Sequence, residues 1–110
     1  MPVVKGKILE KIRFEIQKVF GGRFYEVIMG GAGLNPDVEH FLRKIGFNYT
    51  VGYGSTECAP IMSYEAWDKF AMGSCGKVAP RMEVRINSAD PHNVPGEILM
   101  RGANVMLGYY

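Results

Sequence analysis

The sequence predicts an α/β fold. It consists of a parallel strand-helix-strand unit, preceded by an amphipathic helix and followed by an antiparallel β-hairpin, and forms part of a larger domain. Three observations predict it. Two short apolar runs, residues 24–29 and 47–53, flank a well-punctuated helical stretch. Each run stops at a glycine cluster. Farther on, two alternating or apolar runs bracket a turn rich in Pro, Asn and Gly, the pattern of a hairpin. The chain has 110 residues, the size of one domain, and is expected to form a single piece with an α/β part over 1–80 and a hairpin part over 81–110.

The elements follow in order. Over residues 4–20, Ile8, Ile12, Ile16 and Val19 recur at helical spacing among Lys11, Arg13 and Lys18. Such a stripe suits a core, and a partner or membrane surface is its other use. Gly21 and Gly22 stop the helix. Residues 24–29 are aromatic and β-branched, which predicts a strand buried on both faces. Asn35 is a good N-cap, Pro36 suits the first helical position, and Asp37 and Glu39 suit the positive end of the helix dipole. Val38, Phe41, Leu42 and Ile45 predict the apolar face of this second helix, and Gly46 its stop. Residues 47–53 then return to strand-like sequence.

Two parallel strands joined by a right-handed crossover have their carboxyl ends on one edge of the sheet. The cluster Gly30, Gly31, Ala32, Gly33 and the stretch Gly52, Tyr53, Gly54, Ser55, Thr56, Glu57 should therefore share the edge where open α/β sheets bind ligands. From Glu57 to Pro80 the sequence predicts a long loop carrying Trp67 and Phe70. Met82, Val84 and Ile86 alternate with Arg81, Glu83 and Arg85, a half-exposed strand, and residues 97–101 should pair with it across the 90–96 turn.

Composition narrows the function classes. The chain is 47% hydrophobic and 22% charged with a net charge of +2, which is ordinary globular sequence without the basic block of a nucleic-acid binder. Cys58 and Cys75 form no CxxC pair and lie far in sequence from His40 and His92, so a zinc site has little support. No run approaches membrane-spanning length and no leader pattern is present; a reducing, cytoplasmic setting is expected.

The glycine cluster at 30–33 is not a dinucleotide fingerprint, since Pro36 occupies the third position after Gly33. It leads into a helix N-terminus, a natural place for polar ligand atoms, and a plain strand-to-helix turn uses the same residues. Gly76-Lys77 fails the phosphate-loop pattern because Ala71 and Val78 stand where Gly and Ser or Thr are required. In the second stretch, Tyr53 can cover a flat base and Thr56 can donate to a phosphate. Glu57 is a hard oxygen ligand suited to Mg²⁺. A surface turn with a solvated glutamate has the same composition.

Four strings in order settle on a resemblance. Gly30-Gly31-Ala32-Gly33-Leu34, Gly52-Tyr53-Gly54-Ser55-Thr56-Glu57, Gly73-Ser74-Cys75-Gly76-Lys77-Val78, and Gly96 to Gly102 with Gly108-Tyr109-Tyr110 resemble the AMP-forming adenylating enzymes. That superfamily includes acyl-CoA synthetases of the long-chain fatty acid–CoA ligase type, peptide-synthetase adenylation domains and luciferases. The resemblance implies ATP-dependent activation of a carboxylic acid, of the fatty-acid class, to an acyl-adenylate. It further implies transfer to coenzyme A, with ATP/AMP and Mg²⁺ as cofactors. It implies that Gly31, Ala32 and Gly33 line an adenine pocket and that Tyr53 stacks on the base. By the same resemblance, Ser55 and Thr56 serve the nucleotide, Thr56 and Glu57 serve catalysis, and Glu57 holds the metal. Gly52, Gly54 and Gly76 would border the acyl pocket. The chain departs from the family's pattern at Gly33, often proline, and at Val51, often a polar amide. No Ser/Thr/Gly-rich phosphate loop is present in the sequence, and neither is the family's catalytic lysine domain. The chain is therefore expected to be an internal segment of the large N-terminal domain, inactive by itself and prone to self-associate, from a parent enzyme with peripheral membrane contact. The alternatives are a peptide-synthetase adenylation segment, or a standalone nucleotide-binding or interaction module.

Overall fold

The computed structural model describes residues 2–110. Helix α1 spans Pro2–Val19, strand β1 Val27–Met29, helix α2 Pro36–Ile45, and strand β2 Tyr49–Val51. Strands β3 (Tyr53–Gly54), β4 (Ile61–Tyr64) and β5 (Lys77–Val78) follow, with a short 3₁₀ turn at Thr56–Cys58. Strands β6 (Glu83–Asn87) and β7 (Glu97–Arg101) complete the order.

β1 and β2 are parallel, in the register Val27–Tyr49, Ile28–Thr50, Met29–Val51, so the expected crossover unit is present. Side chains alternate across a strand. Val27 and Met29 therefore share a face with Tyr49 and Val51, and this face carries the core of Leu42, Ile45, Phe47, Tyr49, Val51 and Phe70. Leu9, Ile12 and Ile16 of α1 pack against the same cluster. The opposite face bears Ile28, which is 52% exposed. The strand is thus shorter than residues 24–29 and open on one face. Both helices cover the other face, so the described residues build two of the three layers such a sheet takes.

The helices end as their glycines require. Gly21 and Gly22 sit at φ 88° and 72°, and the Gly22 N–H donates to the Gln17 carbonyl at 2.9 Å. The Asn35 side chain accepts from the Asp37 N–H at 2.8 Å, and Gly46 closes α2 at φ 74°. The faces turn differently from expectation. In α1, Leu9 replaces Ile8 in the packed stripe, and Val19 is exposed. In α2, Val38 and Phe41 are 44% and 41% exposed, and the buried positions are Glu39, Leu42 and Ile45. The cause is polar. The Glu39 carboxylate accepts from the Tyr49 hydroxyl at 2.9 Å and from the Gly73 N–H at 3.2 Å, which satisfies it inside the core. Arg43 completes the group, donating to the Tyr49 hydroxyl and to the Phe70 carbonyl, both at 3.2 Å.

Two further expectations are corrected. The run 47–53 is not one strand. It breaks at Gly52, with β2 pairing β1 and β3 pairing β4 in a separate sheet. The supposed loop from Glu57 to Pro80 contains β4 and β5, which form the antiparallel sheet β3–β4–β5. Strands of two to four residues are too short to show a period of two. The β6–β7 hairpin is antiparallel as predicted, with Glu83 opposite Arg101 and Asn87 opposite Glu97. Among the described residues no helix is long and apolar enough to cross a membrane.

Candidate functional site

Parallel pairing brings the two glycine stretches together at the carboxyl edge of β1 and β2. The Gly52 N–H donates to the Met29 carbonyl at 2.9 Å, extending the ladder one step past β2. A Cβ at Gly30 would lie 3.4 Å from the Gly52 carbonyl oxygen, so the two turns touch through backbone. Gly54 is the most constrained: a Cβ there would sit 2.1 Å from the Pro60 carbonyl oxygen. Its absence lets Pro60 approach, and the Ser55 N–H donates to that same oxygen at 2.8 Å.

Two neighbouring hollows result. One, of about 300 Å³, is lined by Gly31, Ala32, Gly33, Val51, Gly52, Tyr53, Gly54 and Cys75. The other, of about 330 Å³, is bordered by Gly30, Gly31, Gly52, Tyr53, Gly54, Ser55 and Thr56, with Ile28, Met29, Pro60 and Ile61. Tyr53, 42% exposed, lines both. Of the residues expected at the site, Gly31, Ala32, Gly33, Gly52, Tyr53, Gly54, Ser55 and Thr56 border one hollow or both. Glu57 borders neither, and Gly76 is replaced in the lining by its neighbour Cys75. Gly76 has another duty: at φ 78° it packs where a Cβ would fall 2.6 Å from the Glu65 nitrogen. A further hollow of about 330 Å³, lined by Arg43, Gly46, Phe47, Asn48, Tyr49, Trp67, Asp68 and Phe70, gathers neither glycine cluster.

Glu57 lies on the 3₁₀ turn one step beyond Thr56. Its carboxylate accepts a hydrogen bond from the Tyr109 hydroxyl. That bond, helped by the residue's own N–H and by the Ser55 side chain, holds the carboxyl below the usual carboxylate range, and in return the Tyr109 phenol is raised. Glu57 is therefore ionised at neutral pH. Among the described residues no group of three or more His, Cys, Asp or Glu could cage a metal. The donor set nonetheless fits Mg²⁺, which commonly takes one or two carboxylates and completes its shell with substrate phosphates and water.

The profile of the family described as AMP-binding enzyme matches residues 3–110. The chain belongs to the AMP-binding enzyme family. It is 38% identical over 77 residues to a long-chain-fatty-acid–CoA ligase of Escherichia coli O157:H7, covering 66% of this chain and 14% of that protein. It is 31% identical to a 4-coumarate–CoA ligase of Pinus taeda, covering 98% of this chain and 22% of that protein. Among solved structures it resembles the O-succinylbenzoate coenzyme A synthetase of Bacillus subtilis in complex with ATP and magnesium ion. The TM-score is 0.62 at 26% identity, over 76% of this chain and 19% of that one. This AMP-binding family member thus spans only a small part of the length of the proteins it matches, and its fold is part of a larger adenylating-enzyme domain.

The structure adds residues that the sequence did not single out. Asn104 Nδ2 donates to the Cys58 carbonyl at 2.6 Å, and the Met106 N–H to the Glu57 carbonyl at 2.8 Å. With Tyr109 they strap the end of the chain onto the turn that carries Thr56 and Glu57. Its only trace in the sequence is the string Gly108-Tyr109-Tyr110, which marks the family but not the contact. Cys75 is a free, exposed thiol and Cys58 a free, buried one.

Proposed function

We propose that this chain forms the adenine and metal wall of the active site of an AMP-forming acid–CoA ligase that activates a fatty acid. The observation that carries this reading is the meeting of residues 31–33 with residues 52–56 around adjoining hollows at one sheet edge. In this reading adenine lies in the smaller hollow, against the backbone of Gly31, Ala32 and Gly33, with the Tyr53 ring over its face. The Ser55 and Thr56 hydroxyls then meet the phosphates, Thr56 donating to a phosphate oxygen. Glu57 would hold Mg²⁺, and the ion would supply neutralisation of charge on the phosphate oxygens. The chain's own part is positional: it fixes the base, directs hydroxyl donors at developing charge, and keeps a carboxylate ionised beside them. The fatty-acid assignment and coenzyme A as acceptor are supported by the names of the relatives, which also include an aromatic-acid ligase.

Titration of ATP into the 110-residue chain, with and without Mg²⁺, tests the reading. Binding that strengthens with Mg²⁺ and loses that gain in Glu57→Ala is expected. Pyrophosphate release with a fatty acid is expected to be absent from the chain by itself, because it spans 14% of its ligase relative. Binding indifferent to both Mg²⁺ and Glu57 would sink the metal assignment.

A further inference from the structure

We propose that Tyr109 is the positioning residue of the Glu57 carboxylate, its hydroxyl holding Oε1 so that Oε2 is presented to a divalent cation. The inference rests on the reading of Glu57 as the metal carboxylate.

Three contacts carry it. The Met106 N–H fixes the Glu57 backbone at 2.8 Å, the Asn104 amide fixes the Cys58 carbonyl at 2.6 Å, and the Tyr109 hydroxyl donates to Glu57 Oε1. Backbone and side chain of one glutamate are therefore held by one segment, through Met106 and Tyr109, three positions apart. Gly108 lies between the anchors at φ 147°, a conformation that side chains rarely adopt, and Leu107 is fully exposed. Met106 is partly buried, while the stretch between it and Tyr109 lies open to solvent. The Tyr109 ring is itself 76% exposed, so packing does not hold it in place. Its polar contact is the hydroxyl bond to the carboxylate.

A half-buried glutamate on a short 3₁₀ turn has three side-chain torsions, and a cation site made of one carboxylate has no second ligand to select among them. An outer hydrogen bond supplies that selection. Partners of this kind orient a ligating group and change metal affinity by roughly 10–100-fold when removed. Tyr109 meets the description: a neutral donor that uses one carboxylate oxygen and adds no competing charge.

The test measures ATP affinity of the 110-residue chain with and without Mg²⁺ in four forms: unsubstituted, Tyr109→Phe, Glu57→Gln and the double variant. Tyr109→Phe removes one exposed hydroxyl and opens no core. It is expected to lower the Mg²⁺-dependent affinity by about 10–100-fold while leaving the Mg²⁺-free affinity unchanged. Added to Glu57→Gln, it is expected to change nothing further. If Glu57→Gln abolishes the Mg²⁺ gain and Tyr109→Phe does not, the positioning role falls and the metal reading stands. An equal loss with and without Mg²⁺ marks a mere structural strap and also overturns the role. If the unsubstituted chain shows no Mg²⁺ gain, or Glu57→Gln keeps it, the metal reading fails and this inference fails with it.

Discussion

Asp90, in the turn between β6 and β7, and Glu39, in the first turn of α2, are both carboxylates, and their surroundings give them different roles. Asp90 lies on an exposed turn, where its Oδ2 accepts from Asn93 Nδ2 at 2.7 Å and its Oδ1 from the His92 N–H at 3.3 Å. The Asn93 amide, with those backbone donors, holds its carboxyl below the usual aspartate range. A carboxyl depressed in the folded chain stabilises it fully above the ordinary aspartate value of about 3.9, and the contribution is lost as pH falls through the depressed value. Asp90→Ala is therefore expected to loosen the β6–β7 turn at neutral pH, with the difference closing on strong acidification. Amide exchange of residues 87–97 followed against pH measures this, and a difference that persists in acid would contradict it. Glu39 shows what the sequence hides at this scale. Its position near the start of α2 pointed to the helix dipole, while the structure buries it to 5% exposure against Tyr49 and Gly73. Both partners are remote in sequence, and no local pattern announces them. Burial in turn pushes the Tyr49 phenol up, with Arg43 opposing.

The elements legible in the sequence are those whose signals are local. Helix α2 announced itself through Asn35, Pro36 and Gly46, and its bounds follow them. Asn35→Ala removes the acceptor of the Asp37 N–H and is expected to cost about 1 kcal/mol. Urea unfolding should then show a lower midpoint at unchanged slope, and an unchanged midpoint would deny the cap its role. The β6–β7 hairpin was legible because five-residue strands leave room for alternation. Strands β4 and β5 were not, being defined by pairing: Ser63 and Tyr64 face Val78 and Lys77, and the Thr50 hydroxyl donates to the Glu65 carbonyl at 2.6 Å. Gly54 and Gly76 belong to the same lesson. Their sequence neighbourhoods mark a site, while the close contacts that demand glycine come from Pro60 and from Tyr64 and Glu65.

Over the whole molecule, the Cα radius of gyration is 17.4 Å and the extents are 54 × 33 × 22 Å. A compact chain of this length would measure about 13 Å. Ile28 on the open sheet face, Val38 and Phe41 on α2, and Val4, Ile8 and Phe14 on α1 are all at least two-fifths exposed. Exposed apolar side chains on both helices and on the open sheet face favour association. The chain is expected to sediment as concentration-dependent oligomers, and Phe41→Glu with Ile28→Lys to shift it toward monomer. A strictly monomeric chain at high concentration would refute this. The parallel unit and the placing of both glycine stretches on one edge were legible from strand order alone. The course of the tail over Glu57 was not, because contacts 46 to 52 residues apart leave no periodic trace. The break at Gly52 has a consequence of its own. β2 and β3 join different sheets there, so the hollows beside Tyr53 lie along a seam between two hydrogen-bonded layers. Four glycines border each, and a guest lodged there would sense the path of the backbone alongside the chemistry of side groups. Such a mould is inherited through the residues that are left out of it: methyl groups missing at Gly30, Gly52 and Gly54 shape the opening as firmly as any atom that is present.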